Sequence, residues 1–169
     1  MITLDAPDVY GHCIFCDDVR PEASGKLIFV GVYATNHMFV HEPFPFTLPH
    51  LVVSISYSQL PEKFISPRFW IFFPGDANDK PSIEAIMPEE AGREALSKIT
   101  SSVLPVVGSA KKYANVQANF TIHNLTIQMP GLLRVRAVRG QELVRLGSLF
   151  VRPAIENQRI TPTAGATPS

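Results

Sequence analysis

The two cysteines form a CxxC motif at Cys13 and Cys16, a spacing used in redox and zinc-binding sites. Catalytic CxxC pairs lie at the start of a helix, which lowers the pKa of the thiol. The apolar residues around this motif instead favour a β-strand, where side chains three residues apart point to opposite faces. A zinc site would need two more ligands, and His12 and His123 could contribute, although no spacing demands it. We therefore interpret both cysteines as structural residues of the core.

An acidic cluster follows the second cysteine. Asp17 and Asp18 are adjacent, Arg20 and Glu22 come close behind, and a second oxygen-rich loop spans residues 76–79. Paired carboxylates can bind a hard cation or share a proton. The ligand spacing of a calcium loop is absent, however, and Asp and Asn are ordinary turn residues. We expect a local cap or an ion pair between Arg20 and Asp18.

Three histidines, His37, His41 and His50, bracket a proline-rich loop. Three histidines on one loop could ligate a metal. Only Glu42 offers an orienting carboxylate nearby, so solvated loop histidines are the simpler interpretation. We expect neither a metal nor another cofactor.

Phe39, Phe44 and Phe46 belong to the same loop, between proline and polar residues. Proline cannot donate to a β-ladder, so the segment should be extended without lying in the middle of a sheet. The three rings either cover the core or form an exposed contact. We favour a cover over the core, because burying a phenylalanine contributes about 1.5–3 kcal/mol.

Arg134 and Arg136 alternate with apolar residues and, with Arg139 and Gln141, should line the outer face of the last β-hairpin. Such a group could bind phosphate or an acidic partner. A plain solvated face is the simpler interpretation.

The formal net charge is zero, with 15 basic and 15 acidic residues, but the charge is uneven. Residues 1–25 contain five acids and one base, whereas residues 131–169 contain six arginines and two acids. There is no overall basic footprint for nucleic acid. The polarity could orient the protein on a partner. In the simplest interpretation, the two ends of the chain face one another in the fold and neutralise each other's charge.

Short strands separated by turn signals predict an all-β fold, an antiparallel β-sandwich of about seven or eight strands. A closed or half-open barrel of the same strands is the alternative. The predicted strands are 12–16, 26–33, 51–57, 68–73, 83–87, 115–129, 132–138 and 143–152. Residues 89–101 form one short helix or an irregular insert.

The segment 12–36 is expected to organise the core. Its two apolar runs, 12–16 and 26–33, should form a hairpin-like pair across a polar connection. The second run is nearly all apolar, which predicts a central strand covered on both faces. Gly31 within it indicates a bulge or the close approach of a neighbour.

Two other strands have informative alternation. In 51–57 the odd-numbered residues are apolar, whereas Ser54, Ser56 and Ser58 share the opposite face, which predicts one face in water. In 115–129 the inward face changes near His123 and Asn124. A bulge or a passage between two sheets would produce this change.

The length of 169 residues fits one domain, predicted over residues 1–157, with a disordered tail at 158–169. No signal-peptide pattern occurs, and no apolar run approaches the ~20 residues of a membrane helix. Two cysteines are too few for a disulfide framework. We expect a soluble cytoplasmic protein without membrane or nucleic-acid partners.

Several motifs occur in an ordered series: CDDVR at residues 16–20, Gly25-Lys26 leading into LIFVGVY, and PFTLPHL at residues 45–51. In this order the chain resembles a bacterial family known only as a domain of unknown function. The turn at Pro130-Gly131 and the closing strand ending Phe150-Val151 fit the same pattern. The likeness covers most of residues 12–152. The resemblance implies a small β-rich domain and no established activity or catalytic residues.

No GxSxG, P-loop, dinucleotide-binding glycine or HExxH motif gives enzyme chemistry an anchor. We expect a non-enzymatic β-sandwich module that binds a protein partner through loops or an edge strand. The alternative is a structural subunit of a larger assembly, such as a homo-oligomer or a phage-like particle. A metal-dependent enzyme would require Asp17, Asp18 and a histidine to converge. The candidate interaction or structural residues are Asp17, Asp18, Arg20, Phe39, Phe44, Phe46, Arg134 and Arg136.

Overall fold

Alternating apolar residues and frequent turns give this chain a structure built on strands, with a 3-10 turn at Pro61–Lys63. The computed structural model describes residues 7–90 and 113–154. Within these ranges the strands are β1 Val9–Cys16, β2 Asp18–Pro21, β3 Leu27–Val30, β4 His37–Val40, β5 Phe46–Gln59, β6 Arg68–Phe72, β7 Ile83–Ile86, β8 Ala114–Ile127, β9 Gly131–Arg139 and β10 Glu142–Pro153.

The strands form two large sheets and one small one. The three-stranded sheet has the order β1-β5-β8, the five-stranded sheet β4-β10-β9-β6-β7, and β2 pairs with β3 alone. Strand pairs are antiparallel except β4 with β10, which is parallel. The prediction of an all-β, antiparallel β-sandwich is confirmed, but the described residues form ten strands where about seven or eight were expected.

The core lies between the inner faces of the two large sheets. Leu51, Val53, Ile55 and Tyr57 of β5 are fully buried there, and the Tyr57 ring meets Phe69 of β6 edge-on at 6.0 Å between centroids. The opposing sheet contributes Ile71, Leu133, Val135, Leu149 and Val151, each also fully buried. The predicted inward positions of β5 and β9 are therefore confirmed.

The predicted pairing of the first two apolar runs is wrong. β1 pairs with β5 along its whole length, and β3 pairs instead with β2, inside what was expected to be a polar connection. β3 is not a central strand covered on both faces, since Ile28 is 45% exposed. Its hydrophobicity predicted burial, but the adjacent polar strand β2 offered the nearer partner, closed by a tight turn around Gly25.

The second face of β5 is more covered than the serine alternation predicted. Ser54 is only 2% exposed and Ser58 3% exposed, while Ser56 is half-buried. Gln117 Nε2 donates to Ser54 Oγ at 3.2 Å, and Asn115 Nδ2 donates to Ser58 Oγ at 2.9 Å. The central strand of a three-stranded sheet is shielded by its neighbours' side chains, which a single-strand pattern does not reveal.

The predicted change of inward face near His123 and Asn124 is confirmed, but its cause is neither a bulge nor a passage between sheets. β5 and β8 keep one register on both sides of this point, from Leu48 opposite Leu125 to His50 opposite His123. Asn124 has a left-handed backbone (φ 51°) and lies at the level of Pro49, where the two strands leave one residue each out of the ladder. Both strands therefore change their inward parity at the same level.

Three predictions concern residues that the structure leaves largely outside its described ranges. The helix or insert at 89–101 falls there except for Glu89 and Glu90, which have helical backbone. The tail at 158–169 lies wholly outside the described residues. The domain boundaries at 1–157 and 158–169 therefore stay a prediction.

Candidate functional site

The acidic cluster consists of local structural contacts. Arg20 Nε donates to Asp18 Oδ2 at 2.7 Å, the ion pair expected from the sequence, and this bond holds the pKa of Asp18 below its usual range. Asp17 is turned away from this pair and accepts a hydrogen bond from Tyr33 Oη at 3.1 Å. The predicted close approach at Gly31 is also present, because the Asp17 carboxylate packs directly against that glycine.

The two cysteines are free and point to different surroundings. Burial raises the pKa of the Cys13 thiol to about 12, and burial followed by the nearby Asp17 charge raises that of Cys16. A protonated thiol is a poor nucleophile and a poor metal ligand at neutral pH. This geometry agrees with the structural interpretation of the CxxC motif.

The histidines do not converge as the loop pattern allowed. His37 lies on β4 of the five-stranded sheet, whereas His50 lies on β5 and stacks on His123 at 4.8 Å between ring centroids. Across residues 7–90 and 113–154, no three His, Cys, Asp or Glu side chains are grouped so that they could hold a metal ion. Asp17, Asp18 and a histidine therefore offer no built metal-dependent active site.

The three phenylalanines of the proline-rich loop have different roles. Phe46 is buried in the core, and Phe44 packs on it edge-on at 5.4 Å, as the core-cover prediction requires. Phe39 does not follow that prediction, since it is 46% exposed on edge strand β4. Its alternation with buried Met38 and Val40 explains why it points outward.

Phe39 belongs to a basic and aromatic surface on the outer side of the five-stranded sheet. The Arg152 guanidinium lies 4.6 Å above the Phe39 ring and 6.0 Å from that of Phe150. Farther along the sheet, the Arg134 guanidinium lies 4.7 Å from the Phe72 ring. We call this surface the arginine face; its members are Phe39, Arg68, Trp70, Phe72, Arg134, Arg136, Arg145, Phe150 and Arg152.

Strand register brings these arginines together. β9 pairs with both β6 and β10, so Arg136 lies between Trp70 on one side and Arg145 on the other. The register of β10 shifts between Arg145 and Gly147, and this irregularity moves the outward position from odd to even residues. Arg145 and Arg152 consequently share one face although their numbers differ in parity.

Of the arginines on the arginine face, Arg68 alone has an acid paired with it among the described residues. The five strands of this sheet carry two glutamates in the described sequence, Glu84 and Glu142. Glu84 Oε1 lies 3.5 Å from Arg68 Nη1, and Glu142 Oε2 lies 2.9 Å from Arg139 Nη1. Both acids are thus paired. Within the described ranges no carboxylate forms an ion pair with the remaining arginines of this sheet, Arg134, Arg136, Arg145 and Arg152.

The expectation that the two ends of the chain neutralise each other finds no support in the ion pairs that the structure describes. Among the described residues, the early acids Asp8 and Asp18 pair with Lys63 and Arg20, not with the late arginines.

Sequence reasoning identified part of this surface. Arg134 and Arg136 lie on it as expected, but Arg139 does not. The Arg139 guanidinium donates instead to Gln59 Oε1 at 3.1 Å and to the Lys63 carbonyl at 2.6 Å. Arg145 and Arg152 were missed, because the register shift in β10 breaks the alternation that would have aligned them with β9.

A second concavity lies on the opposite sheet. A groove of about 680 Å³ separates the β2–β3 hairpin from the outer side of the three-stranded sheet. Lys26 and Phe29 line it from the hairpin, and His12, Ser56 and Gln117 line it from the sheet. This mixed lining offers hydrogen bonds but no concentration of charge. It therefore indicates a particular class of ligand less clearly than the arginine face does.

The described part of the chain contains no helix long and apolar enough to cross a bilayer. Comparison with protein-family models, curated proteins and solved structures found no match to this chain. The similarity to a bacterial β-rich family therefore stays a prediction from sequence, and the candidate site is defined by the geometry of the arginine face.

Proposed function

We propose that this chain is a non-enzymatic binding module that docks an acidic protein partner on the arginine face. The observation that carries the proposal is the set of four arginines, Arg134, Arg136, Arg145 and Arg152, that no described carboxylate pairs. Like charges on one face of a neutral chain repel each other, and this repulsion destabilises the free protein. A partner of opposite charge would offset the repulsion when it binds.

The composition of the face also fits protein recognition. Arginine and aromatic side chains are enriched at interfaces and supply much of the binding energy there. Phe39 and Arg152 already stack on each other, so both side chains lose little conformational freedom when a partner covers them. The Arg152 Nε is buried without a hydrogen-bond partner in the described structure.

A protein partner of negative charge is favoured over a second copy of the chain. In a two-fold dimer the same patch meets itself, so the arginine face would oppose an identical arginine face. Like charges placed opposite each other disfavour that arrangement. Assembly into a homo-oligomer through this surface is therefore the weaker candidate.

The test compares three forms of the immobilised protein as bait in lysate of the source cells, at low and high salt. Arg152→Glu reverses a charge on the arginine face, and Lys26→Glu makes the matched change in the groove of the opposite sheet. We expect proteins that are retained by the wild type and by Lys26→Glu at low salt, and lost with Arg152→Glu or at high salt.

Two outcomes would contradict the proposal. One is retention of the same proteins by all three baits. The other is the absence of any retained protein at low salt. Far-ultraviolet circular dichroism of each bait checks that the substitution leaves the β-structure intact.

A further inference from the structure

Three of the unpaired arginines converge on one small pocket of the arginine face. The pocket has a volume of about 220 Å³ and is lined by Phe72, Asn78, Arg134, Arg136, Leu143 and Arg145. We call it the arginine pocket. Arg134 and Arg136 come from β9, Arg145 comes from β10, and Asn78 comes from the loop between β6 and β7.

Hydrogen bonds to neighbouring carbonyl and amide oxygens position two of the three guanidinium groups. Arg134 donates to the Asp76 carbonyl at 2.9 Å and to Asn78 Oδ1, and its guanidinium lies over the Phe72 ring. Arg136 Nη1 donates to the Val135 carbonyl at 2.8 Å. These bonds occupy only part of each guanidinium, which has five N–H donors.

Arg136 Nη1 also donates to the Gly147 carbonyl of β10 at 3.3 Å. Gly147 adjoins the register shift of β10. Arg145, by contrast, is exposed, and the structure gives it neither a hydrogen bond nor an ion pair to the described residues. The pocket therefore combines two positioned donors with one that is free to close on a ligand.

The electrostatics of the pocket favour an anion. Burial, and then the charges of Arg145 and Arg134, lower the pKa of Arg136. The Asp76 carboxylate is engaged within its own loop, where Oδ2 accepts from Phe73 N at 2.7 Å and from Ser82 Oγ at 2.7 Å. A bound anion would reduce the mutual repulsion of the three arginines.

We propose that the arginine pocket binds a phosphate monoester carried by the protein partner, an inference that rests on the function proposed above. A carboxylate has one charge and is satisfied by one guanidinium fork. A phosphate monoester has close to two charges at neutral pH and three acceptor oxygens, which suits three guanidinium groups approaching from two strands.

The first experiment measures binding of two matched probes, phenyl phosphate and benzoate, by isothermal titration calorimetry at constant ionic strength. We expect phenyl phosphate to bind the full chain about tenfold more tightly than benzoate. Because the second pKa of a phosphate monoester is about 6, its affinity should fall as the pH is lowered from about 7.5 to about 5.

Two variants locate the site. Arg145→Gln removes the free guanidinium without breaking a contact of the fold and should weaken phenyl phosphate binding about tenfold. Arg68→Gln makes the same change on the same face, outside the pocket, and should leave the affinity unchanged. Equal affinities for the two probes, or an unchanged affinity of Arg145→Gln, would overturn the inference.

A second experiment separates this inference from the function on which it rests. The capture from lysate is repeated after phosphatase treatment. Loss of the captured partner, together with its loss on Arg145→Gln, supports a phosphorylated partner. Retention of a partner that still depends on Arg152 would leave the proposed function standing and overturn the phosphate inference. Binding of phenyl phosphate without any partner that depends on the arginine face would overturn both.

Discussion

Asp17 and Gly31 show how closely single residues are fitted in this chain. The Asp17 backbone N–H donates to the Val30 carbonyl at 2.9 Å, while its side chain accepts from Tyr33. A Cβ at position 31 would lie 1.9 Å from Asp17 Oδ2. Gly31 also has a left-handed backbone (φ 64°). The acidic pair that could have indicated a metal site therefore includes a residue, Asp17, whose contacts are with its own neighbouring loop.

Gly31→Ala is expected to lower the free energy of unfolding. The loss should exceed the strain that alanine has in a left-handed backbone, because the new Cβ also clashes with Asp17. The matched control is Gly25→Ala, because Gly25 also has positive φ (81°) but open space around its Cβ position. Gly25→Ala should cost about 1–2 kcal/mol, and Gly31→Ala at least about 1 kcal/mol more. Urea denaturation of the two variants measures the difference.

A double variant tests the cause of that difference. In an Asp17→Ala background only the contact with the Cβ of residue 17, at 3.0 Å, remains. Gly31→Ala should then cost little more than Gly25→Ala. Equal losses for the two glycines in the wild-type background would show that the contact with Asp17 does not matter.

β5 is the element that organises the three-stranded sheet, since β1 and β8 pair with it on opposite edges. Its apolar side faces the five-stranded sheet, and its serine side is covered by amide side chains of β8. The odd–even pattern identified the first side correctly. It could not show the cover on the second, because that cover comes from residues more than fifty positions away.

Three substitutions in β5 distinguish these surroundings. Val53→Asp places an unpaired charge in the core and should cost at least about 4 kcal/mol. Ser54→Asp buries a charge beside Gln117 and should cost about 1–3 kcal/mol, whereas Ser56→Asp, half-exposed beside the Asn115 amide, should cost under about 1 kcal/mol.

Thermal unfolding followed by circular dichroism ranks the three variants. The order Val53, Ser54, Ser56 is the expected one. If Ser54→Asp were as mild as Ser56→Asp, the second face of β5 would be open to water, as the serine pattern alone had indicated.

At the scale of the whole molecule, charge is neutral in sum but segregated in space. The outer side of one sheet carries unpaired arginines, and the opposite sheet carries a largely uncharged polar face. Several ionisable groups that bear no charge at neutral pH are buried between and beside the sheets. Burial raises the pKa values of Cys13, Tyr33 and Tyr57 to about 12.

These raised pKa values predict a loss of stability in alkaline solution. Below about pH 8 the three groups are largely protonated in both the folded and unfolded chains, so their contribution is nearly constant. Above that, the unfolded chain releases protons first, and the free energy of unfolding should fall. For Cys13 alone the loss is about 1 kcal/mol by about pH 10.

Urea midpoints at about pH 8 and about pH 10 measure this loss, and Cys13→Ala is the control. The variant should lose less stability over this range than the wild type. An equal loss in both proteins would mean that the Cys13 thiol does not titrate differently in the folded chain.

The sequence by itself determined the class of fold, most strand positions and the inward residues of β5 and β9. These depend on hydrophobic alternation and turn residues, which act over a few neighbouring positions. It also predicted the Asp18–Arg20 pair, because the partners are close in sequence. A glycine within an apolar run indicated a close approach at Gly31, but not that Asp17 makes it.

Only the tertiary structure decided which strands pair and which side chains share a surface. β1 pairs with β5 instead of β3, because pairing across a long separation depends on the packing of the whole core. Arg145 and Arg152 join Arg134 and Arg136 through a register shift that no local pattern reveals. The arginine face forms because strands distant in sequence align side by side. That alignment is set by the pairing of strands across the sheet, which the pattern of a single strand does not show.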